Sequence, residues 1–348
     1  VLVTVGVDTH RDTLTAVALD QRGGRLDAVV VANHPGGFAE LVAWAEQLGV
    51  IDAFAVEGTG SYGGPLARWL AQRGFVVGVV NRGDRADRRR RGKNARIDAE
   101  QAARSLQAGK ATTPKAATGP AESIRMLRIA RRSAVSDRTR TANRLHALRV
   151  TAPETLRGRL AGLTLAQLVS VCARLRAGRD LTDPVNAAKV ALRALARRYQ
   201  QLSDDIGDLD AHLDPLVASV APTLVAALGV GTDVAGGLLV AAGDNPQRLT
   251  SDAAFAALCG VSPVEASSGK TVRHRLNRGG NRDANRCLHT VALVRLRYHQ
   301  PTRDYLARRM AEGKTRKEAI RCLKRYLARQ LHRAILTDLG QTRQPAAA

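Results

Sequence analysis

The sequence predicts a multidomain α/β plus α protein, and three patterns carry that prediction. Residues 1–80 alternate strand-like and helix-like runs, residues 124–148 form an arginine-laden helical segment, and residues 195–216 repeat apolar side chains in heptads. A chain of 348 residues suits two or three domains, and a hydrophobic content of 45% is ample for their cores.

The first run, Val1 to Val7, is β-branched and apolar, as in a buried strand, and it ends on Asp8. Residues 12–19 alternate apolar and polar positions like an antiparallel partner, Gln21-Arg22-Gly23-Gly24 makes a turn, and residues 26–31 supply a third strand. Phe38, Leu41, Val42, Ala45 and Leu48 fall at helical spacing before Gly49. A strand over 51–56 then delivers Glu57, followed by a helix over about 65–72 and a strand over 75–80. Three strands, a helix, a strand, a helix and a strand is the order of a ribonuclease-H-like domain. Sugar-kinase and actin-type ATPases share that order, so it does not choose a chemistry.

Residues 82–93 are a basic run containing Arg88, Arg89, Arg90, Arg91 and Lys93, read either as a solvated charge run or as a phosphate-gripping loop. A helix carrying Asp98 follows through Leu106, and residues 110–121 read as a linker. The helix over 124–148 bears Arg125, Arg128, Arg131, Arg132 and more, over a thin apolar seam, and suits a nucleic-acid backbone. Leu195, Tyr199, Leu202, Ile206, Leu209, Leu213 and Leu216 form the heptad seam, expected to pack on the arginine-rich helix or on its copy in another subunit. Leu228-Gly229-Val230-Gly231 reads equally as half of a helix-hairpin-helix or as a plain interhelix turn. The polar loop from Gly260 to Arg282 holds Ser267, Ser268, Lys270, Arg273, Arg275 and Arg278. Two basic amphipathic helices, about 283–298 and 315–336, and a disordered tail complete the chain.

The charge balance points to the partner. With 54 Lys and Arg against 31 Asp and Glu, the net charge of +23 calls for a polyanion, and nucleic acid comes first. Such a charge has no use in sugar-kinase chemistry. No apolar run approaches a membrane span, no secretory pattern opens the chain, and Cys172, Cys259, Cys287 and Cys322 lack metal-ligand spacing. A cytoplasmic, nucleoid-associated protein with reduced thiols is expected. Aromatics at 3% argue against a base-stacking platform.

Two strands that each end in an acid suggest a shared site, since clustered carboxylates repel one another unless a divalent cation holds them; solvated loop acids or helix caps are the alternative. In the loop, serines beside several cations fit attack on a phosphodiester, and equally a loop that only grips backbone.

Taken together, Gly-Val-Asp8-Thr-His, Val-Glu57-Gly-Thr-Gly, Lys-Asn-Ala-Arg-Ile-Asp98-Ala, Gly-Val-Ser-Pro-Val-Glu-Ala-Ser-Ser268-Gly and Asn-Arg-Gly-Gly-Asn-Arg resemble the DEDD transposases related to the Piv invertase. In that family an insertion sequence encodes a recombinase guided by a bridge RNA. The resemblance implies a RuvC-like domain over 1–112, a helical coiled-coil domain over 113–222, a mainly helical C-terminal transposase domain over 223–340 and a disordered tail over 341–348. It implies Mg2+ at Asp8, Glu57 and Asp98, Ser268 as nucleophile with Ser267 as second choice, donor and target double-stranded DNA as substrates, bridge-type RNA as partner, and a dimer or tetramer. It also implies a fourth acid three positions before Asp98. That position is Ala95, which leaves an inactivated variant, weakened metal binding or substitution by Glu100 as readings. A non-catalytic RNA- and DNA-binding protein and a Holliday-junction-type nuclease are the competing functions.

Overall fold

A computed structural model describes residues 1–80, 94–245, 248–249, 251–269 and 274–341. The chain divides into two compact units, Val1–Ala117 and Thr118–Ala348.

In the first unit, β1 (Leu2–Thr9), β2 (Thr13–Asp20) and β3 (Arg25–Ala32) form an antiparallel meander. Asp20 makes its second turn, from β2 to β3, possible: the Asp20 carboxylate accepts the N–H groups of Arg22 and Gly24, and Gly23 takes the positive φ of 81° that the reversal requires. After α1 (Pro35–Leu48), β4 (Val50–Glu57) pairs parallel to β1; after α2 (Gly64–Gln72), β5 (Val77–Val80) pairs parallel to β4. The sheet order is β3-β2-β1-β4-β5. Strand alternation sorts side chains to two faces. Val3, Val5, Val7, Phe54 and Val56 pack with Phe38 and Leu41 of α1 and Leu66 and Leu70 of α2. The opposite face takes α3 (Ala95–Gln107), whose Ala99 and Ala103 meet Val17 and Leu19 while Ala102 meets Ala55. The strand and helix order expected from the sequence is what forms.

The second unit begins at Thr118, within the helical segment expected over 113–222, and also holds the segment expected over 223–340. Its two long helices, α4 (Pro120–Thr151) and α7 (Pro184–Val220), pack against each other. The heptad seam therefore has a partner within this chain, with Ile206 and Leu213 buried and Leu195, Leu202 and Leu209 half-buried. Between them, α5 (Glu154–Leu160) and α6 (Leu165–Ala173) close a small core around Leu156, Leu160, Leu168 and Leu192. Beyond α8 (Pro222–Val225), the main core gathers α9 (Thr232–Ala242), α10 (Asp252–Leu258), α11 (Arg282–Tyr298) and α13 (Arg316–Gln341). An additional helix, α12 (Gln300–Ala311), carries Pro301 in its first turn, where proline is suited. Among the described residues no helix is long and apolar enough to cross a membrane.

Candidate functional site

The acids of the first unit are brought to one end of the sheet. The register Val7↔Val56 between parallel β1 and β4, carried one step further, sets Asp8 beside Glu57. Gly6 and Ala55, two residues earlier on each strand, face α3, so Asp8 and Glu57 point to the same face. Helix α3 runs back along β1: Gln107 donates to Thr4 Oγ1, at 3.2 Å, while Ala99 lies against Gly6. Its first turn, with Asp98, therefore comes over the strand ends that carry Asp8 and Glu57. The approach is possible because residue 6 is glycine, where a Cβ would lie 1.9 Å from the Ala99 carbonyl oxygen. Asn94 caps α3 by accepting the Arg96 N–H at 2.9 Å.

Asp8 and Glu57 are only 8% and 9% exposed, and Asp98 is half-buried. His10, which sequence reasoning left without a role, sits 3.2 Å through Nε2 from Asp8 Oδ2. Thr9 Oγ1 donates to the Glu57 carbonyl at 3.0 Å and ties the two strand ends together. Carboxylates are the hard oxygen ligands that Mg2+ takes. Among the described residues, however, no group of three or more His, Cys, Asp or Glu is arranged to hold a metal ion. Strand register and helix packing bring the three acids to one end of the sheet, yet they do not by themselves fit the expected cation. Ala95 is the first residue of α3, one turn before Asp98, where a fourth carboxylate would share the acid's face.

Ser267 and Ser268 lie exposed in the loop between β6 (Val264–Glu265) and β7 (His274–Arg275), a short antiparallel ladder. The loop is pinned at its base. Gly260 and Gly280 both take positive φ, 64° and 83°, and a Cβ on Gly260 would lie 2.3 Å from the Gly279 carbonyl oxygen. The Asn281 N–H donates to the Leu258 carbonyl at 2.6 Å. Asn285 Nδ2 donates to the Cys259 and Gly260 carbonyls, and its Oδ1 accepts from Lys324 Nζ at 2.6 Å. The polar loop expected from the sequence thus stands on a neck held by hydrogen bonds. Arg275 and Arg278 are exposed beside it; Lys270 and Arg273 lie outside the described residues, as do Arg88, Arg89, Arg90, Arg91 and Lys93.

The arginine-rich helix needs a correction. Arg128, expected to grip nucleic acid, is buried and makes ion pairs with Asp233 at 2.6 Å and Asp283 at 3.3 Å. Arg131 pairs with Asp210, Arg132 with Asp283, and Arg125 with Glu122. Hydrogen bonding to Asp210 raises the Arg131 pKa further. Arg128 is a structural charge, neutralised inside the fold. The same pairs decide the glycine turn at 228–231: Asp233 occupies the first turn of α9, where an anion would otherwise sit, and Arg295 Nε donates to the Leu228 carbonyl. The turn connects helices. Burial pushes the Cys259 and Cys287 thiols up to about 12 and about 11, so both stay protonated.

Comparison with known proteins matches two stretches of the chain, the first of which crosses the boundary between the two units. A family described as "Transposase", the DEDD type of IS110, matches residues 5–151, and the "Transposase IS116/IS110/IS902 family" matches residues 222–307. The "Insertion element IS110 uncharacterized 43.6 kDa protein" of Streptomyces coelicolor is 30% identical over 162 residues. That match spans 45% of this chain and 40% of the relative's length. The chain is thus similar, in order, to a DEDD-type IS110 transposase domain over residues 5–151 and to an IS116/IS110/IS902 transposase domain over residues 222–307.

Proposed function

We propose that the protein is an RNA-guided DNA recombinase of an insertion sequence, with a RuvC-like first domain and Ser268 as its nucleophile. The reading is supported by the placement of Asp8 and Glu57 at neighbouring strand ends with the first turn of α3, which bears Asp98, over them, in a stretch that matches a DEDD transposase family. In the proposed step, Ser268 Oγ loses its proton and forms a bond to a DNA phosphorus while one P–O bond to the neighbouring nucleotide breaks. The leaving oxygen takes a proton and becomes a free hydroxyl. Each phosphodiester is exchanged for a phosphoserine ester, so a second strand's hydroxyl reseals the DNA without an external energy source. Arg275 and Arg278 beside the loop suit the charge of the transferring phosphate.

Mg2+ is the cation proposed for Asp8, Glu57 and Asp98, which need at least one further oxygen ligand to hold it. Sequence choice falls to pairing between a bridge-type RNA and the donor and target duplexes, while the protein reads backbone and shape. Since acids and serine belong to different units, a dimer or tetramer that shares sites is the proposed assembly.

The test incubates the full chain with guide RNA, Mg2+ and donor and target DNA, and looks for protein–DNA adducts that Ser268→Ala abolishes. Adducts in the native chain, or in Ala95→Asp alone, support the reading; no adduct in either removes it. Ala95 favours one second reading, a non-catalytic RNA- and DNA-binding protein, which predicts tight binding and no adduct. Hydrolysed DNA with no dependence on Ser268 would instead indicate a junction nuclease.

A further inference from the structure

A cleft of about 1260 Å³ lies in the second unit, between the base of the serine loop and helices α12 and α13. One wall is Gly260 to Pro263, Ala266 and His274 to Asn277; the other runs from Tyr305 through Arg329. Its charge is lopsided. Eight lining residues are Lys or Arg and two are Glu. Glu312 and Glu318 are taken by Arg309 and Arg321. Arg275, Arg308, Lys314, Lys324, Arg325 and Arg329 have no carboxylate within ion-pair distance among the described residues. Arg125, Arg128, Arg131 and Arg132 of the arginine-rich helix, by contrast, each face a carboxylate.

Two details narrow the ligand. Lys324 is 8% exposed, and its charge, buried against the cleft, meets the neutral Asn285 amide oxygen. A buried ammonium without a counter-charge is costly, and a phosphate in the cleft supplies one. Burial also lowers the Lys324 pKa, in keeping with a missing anion. Tyr326 is 58% exposed and braced edge-on by Tyr305 at 5.5 Å, with the Arg308 guanidinium over the Tyr305 ring. Aromatics are scarce in this chain, yet two of its five tyrosines stand together here. An exposed ring among unpaired cations offers a stacking surface for a base. A base paired inside a duplex keeps its faces covered, so only an unpaired nucleotide can use that ring.

We propose that this cleft binds an unpaired nucleic-acid strand, with phosphates along Lys324, Arg325 and Arg329 and a base stacked on Tyr326. The site rests on the nucleic-acid reading above and extends it, because it gives the serine loop a neighbouring groove for a single strand. A cleft that takes backbone charge and one stacked base is sequence-tolerant.

The test is fluorescence anisotropy on the full chain with a labelled pyrimidine oligonucleotide as DNA, as RNA and as the matching duplex. Tyr326→Ala, a change at an exposed ring, is expected to weaken single-strand binding roughly tenfold through the lost base stacking, and to leave duplex binding unaltered. Tyr326→Phe should restore it. Arg325→Gln and Arg329→Gln should each lower the salt slope of single-strand binding by about 0.7. Loss with the DNA strand, the RNA strand or both supports the site and identifies which strand it takes. Unchanged single-strand affinity in Tyr326→Ala, or an equal loss for duplex, overturns it. The adduct assay separates the two readings: adducts with unaltered Tyr326→Ala binding remove the cleft alone, and a Tyr326-dependent strand without adducts removes the recombinase alone.

Discussion

The acid-bearing sheet end of the first unit and the serine loop of the second are built on opposite principles. Asp8 and Glu57 are buried at the ends of central strands, under a helix that touches β1 through a glycine. Ser268 is exposed at a hairpin tip whose fixed part is the neck. Carboxylates that share a site must be held against their mutual repulsion, so their scaffold belongs to the core. A nucleophile must meet a bulky substrate, so its scaffold stops short of it. Changes at the acid end should therefore cost stability and function together, whereas changes at the tip should cost function alone.

Gly6→Leu is the strongest way to break that contrast. Its side chain has no room against the Ala99 backbone, and over-packing of this kind costs about 1–3 kcal/mol or more. Both tryptophans, Trp44 and Trp69, lie in the first unit, so urea unfolding followed by tryptophan fluorescence reports this unit. A midpoint shift with unchanged slope is expected. A variant as stable as the native chain would mean that α3 is not pinned to β1 through this glycine.

Gly260→Ala tests the other neck. A positive φ of 64° and a Cβ 2.3 Å from the Gly279 carbonyl predict a smaller loss, about 1–3 kcal/mol, confined to the second unit. It should appear in the helical circular dichroism signal and leave tryptophan unfolding untouched. Faster proteolysis between residues 260 and 280 would sharpen the comparison by showing that the neck, rather than the tip, orders the loop.

The two regions also differ in how far the sequence reveals them. The sheet end is legible because alternation, glycine turns and the acids that close two strands are local signals: β1 to β5 fall where periodicity puts them. His10 was on view beside Asp8, but a single histidine carries no partner in sequence. The second unit is legible as helices and opaque as electrostatics. Arg128 and Arg325 look alike in the chain, and only the fold shows that Asp233 and Asp283 neutralise the first while the second lines a groove. The bond from Lys324 to Asn285, 39 residues apart, and the meeting of Tyr305 with Tyr326 across two helices are tertiary facts that no spacing announces.

The smallest effect is the sharpest discriminator. Ser268→Ala removes one exposed hydroxyl from a loop tip, and surface substitutions of this kind stay within about ±0.5 kcal/mol. Both units should unfold as in the native chain, by tryptophan fluorescence and by circular dichroism, and single-strand affinity should be preserved because Tyr326 and Lys324 are intact. A lost adduct on that unchanged background assigns the hydroxyl to chemistry. A loss of stability at Ser268 equal to that at Gly260 would instead make the serine part of the loop's frame, and the contrast between a buried acid scaffold and a free nucleophile would not hold.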